Sequence, residues 1–183
     1  MSKSHKPILI STLGFPGSGK THFARRFAKD CGFFHLSSDR LRLEMFPEPT
    51  FRPKEQAAVF RTMDYICEEL LRRGISVIYD SNCNRREHRR RLKNIARRCG
   101  ARYLLLWFCS PVPLALRRLQ DRKGVEAPHL LKYYRPVPAR VLFSQKEEIE
   151  EPRREKHVKL DSSRSYQRQK EEVLNYFHKH ERS

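Results

Sequence analysis

The chain has 183 residues, and its 39 Lys and Arg against 21 Asp and Glu give a formal net charge of +18. This length suits a single domain over residues 1–183 with its own hydrophobic core, and the 10% of aromatic residues argues against disorder. The longest strictly apolar run covers only residues 104–109, which excludes a transmembrane helix and predicts no membrane partner.

The five cysteines are widely spaced and include no Cys-x-x-Cys pair: Cys31, Cys67, Cys83, Cys99 and Cys109. An odd number of separated thiols favours reduced cysteines over a disulfide framework or a zinc site. The first residues also lack the apolar stretch and the cleavage site of a secretory signal. We therefore expect a cytoplasmic protein.

Short β-rich runs alternate with amphipathic stretches along the chain. The predicted strands are residues 8–13, 33–37, 76–79, 102–109 and 157–160. The predicted helices are residues 20–30, 54–73, 85–99, 113–122 and 165–180. This alternation predicts an α/β fold, a three-layer sandwich with a central, mostly parallel five-stranded sheet. Ligands then belong at the carboxyl ends of the strands.

Two later segments have their own predicted roles. Residues 113–138 begin as a helix and continue into an irregular, proline-containing stretch, which is typical of a helical lid that faces a substrate. Residues 165–180 place apolar side chains on one face, so we expect this terminal helix to pack against the sheet.

Residues 14–21, Gly-Phe-Pro-Gly-Ser-Gly-Lys-Thr, match the pattern G-x-x-x-x-G-K-[ST] at every fixed position. The match follows an apolar strand and opens an amphipathic helix, as phosphate binding by backbone N–H groups and a helix N-terminus requires. Lys20 is expected to reach the β- and γ-phosphates, and Thr21 to ligate Mg²⁺. The alternative is a Gly-rich turn with an incidental lysine. The residues expected to bind ATP are Gly14, Pro16, Gly17, Ser18, Gly19, Lys20 and Thr21.

The signatures of other nucleotide-binding classes are missing from the sequence. It contains no Asn-Lys-x-Asp guanine-binding motif, and the Asp-x-x-Gly match at residues 121–124 ends a predicted helix instead of a strand. Ser81 and Asn82 follow Asp80, where an ATPase motor usually has a second acid. A short chain with a phosphate loop therefore favours a phosphotransferase.

Such an enzyme needs a base for the acceptor hydroxyl and cations for the transferring phosphoryl group. Asp39 follows the second predicted strand, where its carboxylate can accept the hydroxyl proton, and Arg42 can hold an acceptor phosphate or orient Asp39. The alternative is that Asp39 only caps the next helix. Arg118 and Arg122 share one predicted helix face and can grip ATP phosphates, although a solvated helix face is the alternative.

The order of these motifs resembles the polynucleotide-kinase-like group of small P-loop kinases, which includes AAA-family ATPases and zeta-toxin-like kinases. The resemblance covers about residues 8–163 and extends from the phosphate loop through Ser-x-Asp-x-x-Arg, Asp-Ser-Asn and Arg-x-x-x-Arg to Leu-Asp-Ser. It implies a P-loop NTPase fold that uses ATP and Mg²⁺, with Arg118 and Arg122 in contact with the ATP phosphates.

On the acceptor side, the resemblance implies that Asp39 is the general base and that Arg42 binds an acceptor phosphate. It also places Asp80 near the metal and the substrate, with Asn82 supporting that loop, so Thr21 and Asp80 are the expected metal residues. The sequence departs from the group in its dense arginine run after Asn82 and in a Tyr-Tyr-Arg segment. Members of the group phosphorylate nucleic-acid ends, sugars, nucleotide-sugars, antibiotics or other small metabolites.

Residues 85–102 hold nine Lys or Arg and one Glu, a net +8 of the chain's +18. Such a segment can bind a nucleic-acid backbone, because each cation that neutralises a phosphate releases counterions. Arg85, Arg86 and Arg89 follow Asp80 most closely, so we expect them to contact such a substrate first. The alternative is a solvated helix that is charged for solubility. The full set expected to bind the acceptor is Asp39, Arg42, Asp80, Asn82, Arg85 and Arg86.

Three functional hypotheses follow from the sequence. The first is an ATP- and Mg²⁺-dependent kinase that phosphorylates the 5′-OH of a polynucleotide, with Lys20, Asp39, Arg42, Arg118 and Arg122 as its catalytic residues. The second keeps the kinase but changes the acceptor to a small metabolite, nucleotide-sugar or antibiotic hydroxyl. The third is a nucleic-acid-binding ATPase that transfers phosphate only to water.

Overall fold

The structure, a computed structural model, describes residues 6–121 and 137–180. Five strands form one sheet in the order β2-β3-β1-β4-β5, and every pairing is parallel. The strands are β1 (Ile8–Leu13), β2 (Phe34–Ser37), β3 (Val77–Asp80), β4 (Arg102–Cys109) and β5 (His157–Asp161). The α/β fold with a five-stranded parallel sheet is therefore confirmed, and each strand lies within one residue of its predicted bounds.

The described residues contain seven helices. They are α1 (Lys20–Cys31), α2 (Ser38–Met45), α3 (Pro53–Arg72), α4 (Arg86–Arg98), α5 (Val112–Gln120), α6 (Ala139–Glu147) and α7 (Tyr166–His180). Two of these helices, α2 and α6, were not predicted, because both are short and carry little apolar periodicity. Arg122 and most of the predicted lid lie outside the described residues, and the single-domain prediction remains a prediction.

Helices cover both faces of the sheet, because both faces of its central strands are apolar. On one face, α1 and α7 bury Phe23, Phe27 and Phe177 against Ile10 and Leu106. On the other face, α3 and α4 provide a second buried cluster that includes Val59, Met63, Leu92 and Ile95, with Leu9 and Tyr79 from the sheet. The sheet is thus the middle layer of three, and within the described residues no helix has the length and apolar character needed to cross a membrane.

The parallel pairing brings the ends of several strands to one edge of the sheet. Ser37 lies beside Asp80 in the β2–β3 pair, and Cys109 lies beside Asp161 in the β4–β5 pair. The residues after β1 form the predicted phosphate loop at the same edge. The Thr12 hydroxyl donates to the Ser81 carbonyl at 2.9 Å, which fastens the end of β1 to the end of β3.

The structure corrects the prediction for Arg89. This residue is 1% exposed and is the largest fully buried side chain among the described residues, so it is not part of an outer binding surface. Its guanidinium donates to the Cys83, Asn84 and Glu150 carbonyls at 2.7–2.9 Å and pairs with Glu155 at 2.6 Å. Arg89 therefore fastens the loop after β3 to the segment before β5.

We expect Arg89→Gln to lower the free energy of unfolding by about 3 kcal/mol, because the buried pair loses its cation and three carbonyls lose donors. Arg90→Gln is the matched control: it makes the same change at the next position of α4, where the side chain is exposed, and it should shift stability by less than about 0.5 kcal/mol. Chemical denaturation of both variants measures the difference. Equal stability of the two would contradict a stabilising role for the Arg89 network.

Candidate active site

Residues 14–19 form the loop between β1 and α1, and its backbone depends on glycine at several points. Gly17 and Gly19 have φ angles of 81° and 89°, in the left-handed region that favours glycine. A Cβ on Gly17 would lie 2.5 Å from the Ala115 carbonyl oxygen of α5. The first turn of α1 contains no acidic residue, and its N-cap makes no side-chain hydrogen bond. The loop therefore presents a helix N-terminus suited to an anion.

Lys20 is the first residue of α1, and its side chain folds over the loop. It is only 7% exposed, and its Nζ donates to the Gly14 and Phe15 carbonyls at 2.7 and 3.0 Å. Thr21, the next residue, is half-buried. The ammonium group thus lies against carbonyls of the loop itself, and its place at the β/γ-phosphates remains a prediction.

Arg118 reaches the phosphate loop from α5. Its Nη2 donates to the Ser162 carbonyl at 2.6 Å, and the Ser162 hydroxyl donates to the Ser18 carbonyl at 2.6 Å. Its Nη1 lies 3.4 Å from the position of a Cβ on Gly19; it is buried and has no hydrogen-bond partner among the described residues. Burial, with a smaller contribution from Arg117, lowers the pKa of Arg118. A buried donor without an acceptor at this place suits an anionic ligand.

Ser162 is a site residue to which the sequence assigned no role. Its Leu-Asp-Ser motif was part of the family resemblance, but the bond to Ser18 joins residues 144 positions apart. The two residues meet because the carboxyl end of β5 lies at the same edge of the sheet as the phosphate loop.

Asp80 ends β3 and is 3% exposed. Its Oδ2 lies 2.9 Å from Nε2 of His35, which comes from the neighbouring strand β2. The sequence offered no signal for His35, because this contact depends on β2 and β3 being neighbours. The Asp80 carboxylate and the Thr21 hydroxyl provide oxygen ligands of the kind that Mg²⁺ prefers.

A magnesium site of this kind would take its other ligands from phosphate oxygens and water. Mg²⁺ commonly binds through one or two protein groups and retains several waters. Within residues 6–121 and 137–180, no group of three or more His, Cys, Asp or Glu side chains could hold a metal by itself. Thr21 and Asp80 provide oxygen atoms that suit Mg²⁺, and their assignment as metal ligands remains a prediction.

Asp39 is the second residue of α2 and its side chain is exposed at the sheet edge. The helix cap is Ser37, whose hydroxyl accepts from the Arg40 N–H at 3.4 Å. The N-cap of α2 is thus Ser37, and Asp39 is the acidic residue of its first turn. Asp39 as the base remains a prediction.

Arg42 lies one turn later on α2 and is 3% exposed. Its Nη1 pairs with Glu55 at 2.5 Å, its Nη2 donates to Gln56, and its guanidinium carbon lies 4.6 Å from the centre of the Phe51 ring. Both terminal nitrogens are thus engaged within the chain. This geometry attaches α2 to α3 and favours orientation of Asp39, whereas direct contact of Arg42 with an acceptor phosphate remains a prediction.

The other predicted acceptor residues lie on the loop between β3 and α4 and at the start of α4. Asn82 is half-buried and its Nδ2 donates to Oε1 of Gln145 in α6 at 2.5 Å. Arg85 and Arg86 are exposed at the start of α4, and the Arg86 N–H donates to Glu150 at 2.7 Å. Their side chains face solvent beside the site, and their contact with a substrate remains a prediction.

Residues 9–152 match the AAA_33 family, described as an AAA domain. The chain belongs to the AAA_33 family. It is 27% identical over 117 residues to the L-seryl-tRNA(Sec) kinase of Methanococcus maripaludis, a match that covers 63% of this chain and 46% of that kinase. The chain therefore corresponds to less than half of the length of this curated relative.

Solved kinases share the fold of this AAA_33 chain. A sugar kinase from Janibacter sp. HTCC2649 superposes with a TM-score of 0.69 at 18% identity, covering 93% of this chain and 94% of the other. The APS kinase of Mycobacterium tuberculosis, in complex with AMPPNP and APS, superposes with a TM-score of 0.67 at 18% identity, covering 94% and 98%. At these identities the likeness concerns the fold alone.

In the AAA_33 chain, Glu55 is the carboxylate on which the connection between α2 and α3 depends. Burial by itself would raise its pKa, but hydrogen bonds from Arg42, Thr50 and Phe51 outweigh burial and lower the pKa from 4.5 to about 2. The Thr50 N–H and hydroxyl donate at 2.6 and 2.8 Å. Phe51 has a φ of 59°, which is unusual for a bulky residue, so the carboxylate holds a strained turn in place.

Because the folded-state pKa of Glu55 is depressed, its contribution to stability is complete above the unfolded value and is lost as the pH falls toward the folded value. We expect Glu55→Gln to be less stable than the unaltered protein at about pH 6, with a difference that shrinks as the pH falls to about 2. Urea denaturation across this range measures it. Glu48→Gln, at an exposed position of the same connection, is the control and should follow the unaltered protein. A pH-independent difference for Glu55→Gln would contradict the lowered pKa.

Proposed function

We propose that the chain transfers the γ-phosphoryl group of ATP to a hydroxyl acceptor. The observation that carries this proposal is the buried Nη1 of Arg118, which lies beside Gly19 of the phosphate loop without a hydrogen-bond partner among the described residues. A planar guanidinium already fixed by Ser162 is suited to an oxygen of a transferring phosphoryl group. The AAA_33 family and the kinase folds of its structural neighbours support the same chemistry.

In this proposal the phosphate loop and α5 contribute different groups to the nucleotide phosphates. The loop amides and Lys20 hold the β- and γ-phosphates, and Arg118 stabilises charge on the group in transfer. Arg122 is proposed to act with Arg118, although it lies outside the described residues. Mg²⁺, held by Thr21 and Asp80, would neutralise phosphate charge when bound.

Asp39 is proposed to act on the acceptor side. The acceptor oxygen attacks the γ-phosphorus, the bond from that phosphorus to the β–γ bridging oxygen breaks, and ADP leaves. The hydroxyl proton passes to the Asp39 carboxylate. Asp39 is exposed at the sheet edge, so an acceptor can reach it, while the pair of Arg42 with Glu55 holds the helix that carries it.

The acceptor is open between a small molecule and a nucleic acid. The names of the similar proteins specify a sugar, APS and seryl-tRNA as kinase substrates. They favour a small molecule or a tRNA over the 5′-OH of a polynucleotide that the sequence suggested. The hypothesis of an ATPase without an acceptor is the remaining alternative.

One assay separates these acceptors. The protein is incubated with γ-labelled ATP and, in separate reactions, a 5′-OH oligonucleotide, seryl-tRNA, a sugar panel and APS. We expect label on one organic acceptor class. Label in free phosphate alone would overturn the proposed transfer and identify a nucleotide hydrolase.

Asp39→Asn should reduce transfer by at least about 100-fold, because general bases contribute factors of this size. ATP binding should be unchanged, since Asp39 lies on α2 and not on the phosphate loop. Glu44→Gln changes the other acidic residue of α2 and is the matched control, with transfer near that of the unaltered protein. Normal transfer by Asp39→Asn would show that another group takes the proton.

A further inference from the structure

The outer face of α4 carries a row of four cationic side chains, the α4 stripe: Arg86, Arg90, Lys93 and Arg97. All four are exposed. They occupy positions i, i+4, i+7 and i+11, which lie on one side of a helix, and at 1.5 Å per residue the row is about 16 Å long. The stripe is thus a continuous, cationic surface.

The other arginines of α4 are neutralised within the chain. Arg89, Arg91 and Arg98 pair with Glu155, Asp64 and Glu68, which come from the segment before β5 and from α3. In contrast, no member of the α4 stripe forms an ion pair with a described residue. The helix therefore divides its cations between a set that pairs with carboxylates of other elements and the α4 stripe, which has no such ion pair with a described residue.

Two acidic residues, Glu87 and Glu150, lie at the N-terminal end of the stripe. Glu87 is the acidic residue of α4, and it lies about 100° around the helix from Arg86. The Glu150 carboxylate accepts the Arg86 backbone N–H at 2.7 Å and so already occupies the N-terminus of α4. An anionic partner would thus be held by the side chains of the stripe and not by the helix dipole.

The stripe starts beside the candidate site and leads away from it. Asp80 ends β3 at the edge that carries the phosphate loop, and α4 begins six residues later. Because α4 connects two parallel strands, it runs back along the sheet toward the opposite edge. A metabolite-sized acceptor at the site contacts only the first residues of this row, whereas a polymer with regularly spaced negative charges can follow all of it.

We propose that the α4 stripe binds the phosphodiester backbone of a nucleic acid whose hydroxyl is the phosphoryl acceptor at the candidate site. This inference rests on the proposed function and specifies its acceptor class. Uncompensated cations in a row match a phosphate backbone, and the net charge of +18 favours association with a polyanion.

An anionic membrane fits the stripe less well. Helices that lie in a membrane interface insert an apolar face. The apolar residues of α4, among them Leu92, Ile95 and Ala96, are buried in the core. The exposed large apolar side chains among the described residues lie on other elements.

The test compares two triple variants with equal net charge. Arg90→Gln with Lys93→Gln and Arg97→Gln removes the distal stripe and leaves Arg86 in place beside the site. Lys29→Gln with Arg61→Gln and Arg168→Gln removes three exposed cations from α1, α3 and α7, none of them ion-paired with a described residue. Glutamine keeps a good helix propensity at all six positions. Binding of a single-stranded RNA and of tRNA is measured without ATP over a series of salt concentrations.

We expect the stripe variant to lose affinity by roughly 10- to 100-fold at 0.1 M salt and its slope of log K against log[salt] to fall by about 2, as the loss of three phosphate contacts predicts. The control variant should retain the slope of the unaltered protein. Equal losses in the two variants, or no loss in either, would overturn the inference. Anionic vesicles and polyglutamate are measured in the same way. If their binding depends on the stripe as strongly as RNA binding does, the inference is also overturned.

Transfer assays on the same proteins separate this inference from the proposed function. We expect the stripe variant to raise the KM for the nucleic-acid acceptor and to leave the KM for ATP unchanged. If both variants phosphorylate a sugar or APS equally and neither phosphorylates RNA or tRNA, the inference is overturned. The proposed kinase activity is then retained. Absence of transfer to every acceptor, together with stripe-dependent RNA binding, would overturn the proposed function and with it the acceptor class.

Discussion

The candidate site depends on the parallel pairing of β1 with its neighbours, because only parallel strands end at the same edge of a sheet. The backbone hydrogen bonds of the sheet place the phosphate loop after β1 next to Asp80 at the end of β3, and β2 brings Asp39 to the same edge. The Thr12 hydroxyl adds a direct bond between the ends of β1 and β3. The groups proposed to handle the nucleotide and the acceptor thus lie on one rigid framework, which reduces the reorganisation that phosphoryl transfer would require.

Around this framework, the cations of the chain fall into groups with different physical roles. Lys20 and Arg118 are buried or half-buried at the phosphate loop, where low solvent exposure strengthens their interaction with an anion. Arg42 and Arg89 are buried, pair with the carboxylates of Glu55 and Glu155, and connect different elements of the fold. The α4 stripe remains in solvent. The net charge of +18 therefore has three components: cations of the proposed chemistry, cations that pair within the fold, and exposed cations that include the proposed nucleic-acid surface.

Membership of the AAA_33 family and the shared kinase fold define the nucleotide side of the site better than the acceptor side. The reason lies in the structure itself. Nucleotide binding uses backbone groups of a short loop, which a motif specifies almost completely. The proposed acceptor recognition uses side chains from α2, the β3–α4 loop and the face of α4, whereas proteins with the same fold host many different functions. The similar proteins accordingly include kinases named for a sugar, for APS and for seryl-tRNA.

The sequence by itself determined the strand order along the chain, the helices with strong apolar periodicity and the phosphate loop, because each follows from local spacing and backbone preference. It missed α2, whose eight residues carry little periodicity, and the helix that precedes β5. Only the tertiary structure decided which arginines are exposed to a ligand. Arg85 and Arg89 look alike in sequence, yet Arg85 is exposed, whereas Arg89 is enclosed by Glu155 and three carbonyls. Likewise, His35 beside Asp80 and Ser162 beside Ser18 arise from strand neighbours. Burial and pairing are properties of the packed fold, and no local pattern encodes them.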